Sequence, residues 1–184
     1  MIFTSGLKVM KVEVIDCGAI DHDNVRSKYR NLTLYLIEKG LTISSMESCT
    51  GGQIASLLTD IEGSSSIFKG ALVTYRNDVK IKSGVPQSVI EKFGVYSSET
   101  AEAMAEACRK SFDSDVGLGV TGSFGNVDPY NIDSVPGEVY FAIADAEGTK
   151  CYKCTIPAQE SRLSYKLYIA DVIADRLAAF LQVK

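Results

Sequence analysis

Short β-rich runs alternate with helical patterns from one end of the chain to the other, which predicts an α/β layer fold on a largely parallel or mixed sheet. Six runs carry strand character, at 10 to 15, 41 to 46, 71 to 75, 116 to 121, 138 to 144 and 150 to 156. Between most of them apolar residues recur at spacings of three and four, the period of a helix with one buried face. Length is the third observation: 184 residues, 46% hydrophobic and 23% charged, suffice for one well-buried core.

In chain order, MKVEVI (10 to 15) reads as the first strand. A helix from about Asn24 to Lys39 follows, with Val25, Leu32 and Leu36 in helical register and Gly40 as a left-handed C-terminal cap. LTISSM (41 to 46) is the second strand. Ile54, Leu57, Leu58 and Ile61 then define an amphipathic helix from about Cys49 to Asp60, ended by Gly63 and serines 64 to 66. ALVTY (71 to 75) is the third strand, RNDVKIKSGV a loop or short helix, and PQSVIEKF a helix with Pro86 in its first turn. Ser97 or Ser98 caps a helix carrying Glu99 in its first turn and Ala101, Met104, Ala105, Cys108 and Phe112 on one face. VGLGVT (116 to 121) is a buried strand, and residues 122 to 137 have the composition of a long loop. EVYFAIA and KCYKCTI pair as a hairpin around Glu147 and Gly148. A last helix, about Glu160 to Leu181, is expected to turn Leu163, Leu167, Ala170, Ala174, Leu177 and Leu181 inward.

A net charge of −4 argues against work on nucleic-acid phosphates. No run approaches the length of a membrane helix and the N-terminus lacks a signal-peptide pattern, so a cytoplasmic protein is expected, with no membrane partner. Five cysteines without framework spacing suit a reducing compartment. Cys151 and Cys154 form a CxxC, but on a strand they face opposite ways, which favours structural cysteines over a zinc or redox pair. His22, the only histidine, sits in the polar stretch AIDHDN and reads as a surface loop residue. A histidine-based triad would depend on it entirely.

MESCTGG (46 to 52) lies between a predicted strand and a predicted helix. Free helix-start amides at Thr50, Gly51 and Gly52 beside the Ser48 hydroxyl would make an oxyanion site, and the glycines admit a close approach. The plainer alternative is that Ser48 only caps the helix. Serine needs a base, and TYRNDVK offers Tyr75 at the end of a buried strand and Lys80 five residues on, along the sheet edge where α/β folds assemble sites. Lys80 would need a lowered pKa, with Tyr75 relaying or orienting the proton; otherwise it is a solvated loop lysine. SGLK and SIFK match SxxK without the accompanying SDN or KTG, and neither GxGxxG nor a P-loop is present.

Taken together, ESCTGG, GSSSIFKGALVTYRNDVK, FGVYSSETAEAMAE, GVTGSFG and PGEVYFAIA occur in an order that resembles the C-terminal domain of the CinA family, the competence/damage-inducible proteins. The likeness runs from about Leu32 to the C-terminus. It implies a three-layer αβα sandwich around a mixed, mostly parallel sheet of about six strands. It also implies nicotinamide mononucleotide deamidase activity, giving nicotinic acid mononucleotide and ammonia, without metal or cofactor, in a homodimer or higher oligomer. By this resemblance Ser48 is the nucleophile, Lys80 the base and Tyr75 the assisting residue. Thr50, Gly51, Gly52, Asn77, Thr121, Gly122 and Arg162 are then expected at the substrate. The family's N-terminal molybdopterin-binding-like domain has no counterpart here, so the chain reads as a stand-alone single domain with a divergent extension over about its first 30 residues. Two departures stand out: TGSFGNVDPYNID replaces the usual TGIAGPxGG, and Lys166 replaces the second arginine of RxxxR. They leave open the same dyad acting on another amide or ester, or a silent pyridine-nucleotide-binding or assembly module.

Overall fold

The computed structural model describes residues 11 to 15, 22 to 131 and 134 to 183. Cys17 and the His22 side chain lie outside the described residues. Six strands form one sheet: β1 (Val12–Ile15), β2 (Ile43–Glu47), β3 (Phe68–Val73), β4 (Val116–Gly122), β5 (Glu138–Ala144) and β6 (Thr149–Thr155), in spatial order β1-β6-β5-β4-β2-β3. β1 runs parallel to β6, and β2 runs parallel to both β3 and β4; the β4–β5 and β5–β6 pairs are antiparallel. The sheet is therefore mixed with parallel pairs in the majority, as composition and resemblance both predict.

Helices cover both faces. On one side α1 (His22–Lys39), α2 (Gln53–Leu58) and α6 (Arg162–Leu181) pack together. Their core joins Tyr29, Leu36 and Ile169 to Leu118, Val120 and Phe141 of the sheet. On the other side α4 (Gln87–Phe93) packs on α5 (Ser98–Phe112), which lies across β4, β5 and β2. A short helix, α3 (Asn77–Lys82), follows β3. Among the described residues no helix is long and apolar enough to cross a membrane.

Alternation along β4 explains how α5 sits so close. Leu118 and Val120 point into the larger core, while Gly117 and Gly119 face α5. A Cβ on Gly119 would lie 2.2 Å from the Ala101 carbonyl oxygen, and one on Gly117 2.2 Å from that of Ala105. Backbone against backbone leaves no room for a methyl group. Gly119→Ala is expected to cost about 3 kcal/mol in urea unfolding, since the helix must lift off the sheet; a loss under about 1 kcal/mol would contradict this packing.

Several boundaries differ from the sequence reading. The third strand occupies 68 to 73 rather than 71 to 75 and is an edge strand, so Tyr75 lies beyond it with 60% of its surface exposed, not at the end of a buried strand. The segment from Arg76 resolves to the short-helix alternative. α2 begins at Gln53, not Cys49, because residues 48 to 52 form turns with Gly51 and Gly52 at positive φ. His22 opens α1 instead of lying in a loop. Leu163 is 57% exposed; the buried face of α6 is made by Tyr165, Tyr168, Ile169, Ala170, Val172, Ile173, Ala174 and Leu177. Ser97 is the cap of α5, its hydroxyl accepting from the Thr100 N–H. Cys151 and Cys154 join different core clusters, one on each side of the sheet.

Candidate active site

Three parallel neighbours, β3, β2 and β4, end along one edge of the sheet, and the segments that follow them meet there. Residue 48 follows β2, residues 74 to 80 follow β3, and residues 123 to 131 follow β4. Ser48 is held in place because its N–H donates to the Val120 carbonyl of β4 at 3.0 Å, while Thr74 N–H donates to the Glu47 carbonyl at 2.8 Å. These bonds fix the two loops against each other.

Lys80, on the second turn of α3, is 1% exposed and reaches back towards the sheet. Its Nζ donates to Ser48 Oγ at 3.0 Å and to the Thr74 carbonyl at 2.7 Å. Burial pushes the amine down to about 8, against the opposing pull of the Asp128 carboxylate. Ser48 itself is 6% exposed and lines a cavity of about 550 Å³, with Lys80 beneath it. Beside it, burial pushes the Cys49 thiol up to about 12, so the sulfur is protonated and no competing thiolate is present.

The helix-start amides have another occupant. Glu47, fully buried at the end of β2, accepts from the N–H groups of Gly52 at 2.9 Å, Ile54 at 3.2 Å and Ala55 at 2.9 Å, and from Ser45 Oγ at 3.2 Å. The Gly51 N–H goes to the Ser48 carbonyl at 3.1 Å. The expected oxyanion donors at Gly51 and Gly52 are therefore taken, because the chain supplies its own carboxylate for the helix terminus. What remains is the N–H of Cys49 and of Thr50, which point at the Cys49 sulfur and favour negative charge there. Thr50 Oγ1 is buried without a hydrogen-bond partner, and none of Thr50, Gly51 and Gly52 lines the cavity.

Of the other residues expected from sequence, Tyr75, Asn77, Gly122 and Arg162 line the cavity. Thr121 does not: it is fully buried and its hydroxyl donates to the Val95 carbonyl at 2.9 Å, tying β4 to the approach to α5. Among the described residues no hydrogen bond joins Tyr75 to Ser48 or Lys80. The Tyr75 hydroxyl accepts from Arg162 Nη2 at 2.9 Å, and Arg162 lies 5.3 Å above the Phe124 ring, which stacks on Tyr165. Lys166 packs outside the cavity against the turn at Gly51, its Nζ 3.2 Å from where a Cβ there would stand.

Sequence reasoning missed the polar wall of the cavity. Asp128 Oδ2 accepts from the Tyr96 hydroxyl and from Asn131 Nδ2, each at 2.6 Å, and Oδ1 accepts from the Tyr130 N–H at 2.9 Å. Asn131 Oδ1 in turn accepts from Asn77 Nδ2 at 3.0 Å. Burial alone would raise the Asp128 carboxyl, but the donors and the Lys80 charge outweigh it and hold it below the ordinary value. The Asp-Pro-Tyr-Asn run signals a turn, yet nothing in the sequence links it to Tyr96 more than thirty residues earlier. Among the described residues no group of histidine, cysteine, aspartate and glutamate is placed to hold a metal ion.

The CinA C-terminal domain family matches residues 26–171. A putative competence-damage inducible protein of Desulforudis audaxviator is 43% identical over 123 residues, covering 66% of this chain and 30% of that protein. A CinA-like protein of Flavobacterium psychrophilum is 38% identical over 145 residues, covering 77% and 34% respectively. The chain thus spans about a third of the length of the curated relatives it matches. In three dimensions it is similar to the competence/damage inducible protein CihA from Agrobacterium tumefaciens, with TM-score 0.78, 26% identity and coverage of 91% of this chain and 99% of the other. With a family match extending over β2, the 48 to 52 turn, α3 and the start of α6, the chain belongs to the CinA C-terminal domain family.

Proposed function

We propose that the chain is an amidohydrolase converting nicotinamide mononucleotide to nicotinic acid mononucleotide and ammonia through Ser48 and Lys80. The observation that carries this is a buried amine 3.0 Å from a serine hydroxyl at the floor of a cavity. A lysine lowered to about 8 has a usable neutral fraction near physiological pH, which a solvated lysine lacks.

Ser48 Oγ attacks the carboxamide carbon as its proton passes to Lys80. The C–N bond breaks as Lys80 returns the proton to the leaving nitrogen, giving ammonia and an acyl-serine ester. Water then attacks that ester, again losing its proton to Lys80. The acid departs, and Ser48 regains its hydrogen.

Incubation with nicotinamide mononucleotide, reading ammonia and acid product together, tests the proposal. Equal molar release of both supports it. Saturable binding with no ammonia above the blank refutes it and favours a silent binding module.

Tyr75 serves here by orienting Arg162 rather than by moving protons. Tyr75→Phe is expected to raise KM by about fivefold with kcat changed less than about twofold, the pattern of a lost binding contact. A fall in kcat of about 100-fold at constant KM would instead give Tyr75 a part in the chemistry.

A further inference from the structure

The charged side chains lining the cavity are Arg76, Asp78, Asp128 and Arg162. Arg76 and Asp78 pair with each other at 3.0 Å and are largely solvated, so their charges cancel locally. Among the described residues the other two enter no ion pair. Arg162 donates to the neutral Tyr75 hydroxyl, and Asp128 accepts from a hydroxyl, an amide and a peptide N–H. Neither has a group of opposite sign bound to it.

Both are held rather than loose. The Asp128 carboxylate is gripped from three directions, and the residue that grips it, Asn131, is itself clamped to Asn77 at the start of α3. The Asp128 N–H donates to Ser134 Oγ, further along the loop, at 2.7 Å. Holding a carboxylate so firmly at a cavity wall without a counter-ion leaves the cavity favouring a cation there. The surroundings add to this. Tyr96 puts its ring at the same wall, and Tyr130, 88% exposed, sets a second ring at the rim; aromatic faces attract cationic rings and quaternary nitrogens.

The two charges are not equivalent with respect to the reacting end. Asp128 is tied through Asn131 to Asn77, one turn before Lys80 on α3, whereas Arg162 stands at the start of α6 against Tyr75 and Phe124. A cation therefore belongs near the Ser48 end of the ligand and an anion farther from it.

We propose that Asp128 forms a cation-recognising subsite that selects amides carried directly on a positively charged ring, leaving Arg162 for an anionic group elsewhere in the same cavity. This rests on the amidohydrolase reading above and adds to it the charge that the reacting end of the substrate must bear. Nicotinamide mononucleotide has that arrangement in its N-substituted pyridinium ring. Its dihydro form has the same amide, ribose and phosphate on a neutral ring.

Titration calorimetry with these two ligands isolates ring charge. Ser48→Ala is used as the parent so that neither ligand turns over. The parent is expected to bind the oxidised form about tenfold more tightly than the dihydro form, the scale of one partly screened charge contact. Adding Asp128→Asn is expected to bring the two within about twofold by weakening the oxidised form, and Asp128→Glu to restore most of the difference. Tyr96→Phe, which removes a hydrogen bond and keeps the charge, is expected to preserve the preference. Equal binding of the two forms by the parent, binding of neither, or a ratio unchanged by Asp128→Asn overturns the subsite. Absence of ammonia release by the unaltered protein overturns hydrolysis instead and leaves the binding ratio standing as the test of the subsite.

Discussion

Lys80→Met is expected to abolish ammonia release from nicotinamide mononucleotide, by at least about 10³-fold in kcat, because a neutral thioether cannot take the Ser48 proton. Methionine matches the volume and straight chain of the lysine it replaces at a site 1% exposed, so the fold should survive. Ser48→Ala is expected to cost as much, and the double variant no more than either, since the two groups act as one unit. Stability should change in an opposite and diagnostic way. Lys80 is lowered to about 8 in the folded chain and has its ordinary value of about 10.4 when unfolded. Between those values the unfolded chain binds more protons, so stability rises with pH across that window. The Met variant should lack that rise and should be the more stable protein at pH 7. Denaturant titrations at pH 7 and pH 10 check this, and an unchanged slope in the variant would contradict burial of the amine.

Glu47→Gln is expected to be the second large effect, on stability first and activity in consequence. The carboxylate accepts three backbone N–H groups and one hydroxyl with no exposure to water. Glutamine offers one oxygen and an NH₂ that meets other donors, leaving buried amides without acceptors at about 2 to 4 kcal/mol. For a chain of this length that corresponds to roughly 5 to 10 °C in Tm. The turn from 48 to 52 is anchored through that carboxylate, so kcat should fall with it. A Tm within about 1 °C of the parent would show that Glu47 is not the anchor.

How far the sequence foretold this molecule depended on whether the cause was local. The cap at Ser97, one of two adjacent serines expected there, and the period of α5 arise from neighbours in the chain, and they read directly. So did the closeness of Ser48 and Lys80, because parallel strands bring successive C-terminal ends to one edge. Tyr75 and Leu163 were misjudged for the same reason: each has strand or helix spacing but lies where the sheet edge or helix start meets solvent. Glu47 was passed over because a buried glutamate is rare and its partners, the amides of residues 52 to 55, are backbone groups that no side-chain pattern reveals. Thr121 is expected at the substrate by the family resemblance, yet its hydroxyl is satisfied by Val95 from a distant segment. The Tyr96, Asp128 and Asn131 wall depends likewise on a tertiary meeting of two loops.

On the proposed mechanism, burial makes the Lys80 amine a base for Ser48. The dependence of kcat/KM on pH between 7 and 10.5, measured by ammonia release from nicotinamide mononucleotide, addresses it most directly. A rising limb with an apparent pKa near 8 is the predicted result. A profile flat across that range, or one rising only near 10.4 as an unperturbed lysine would, contradicts it.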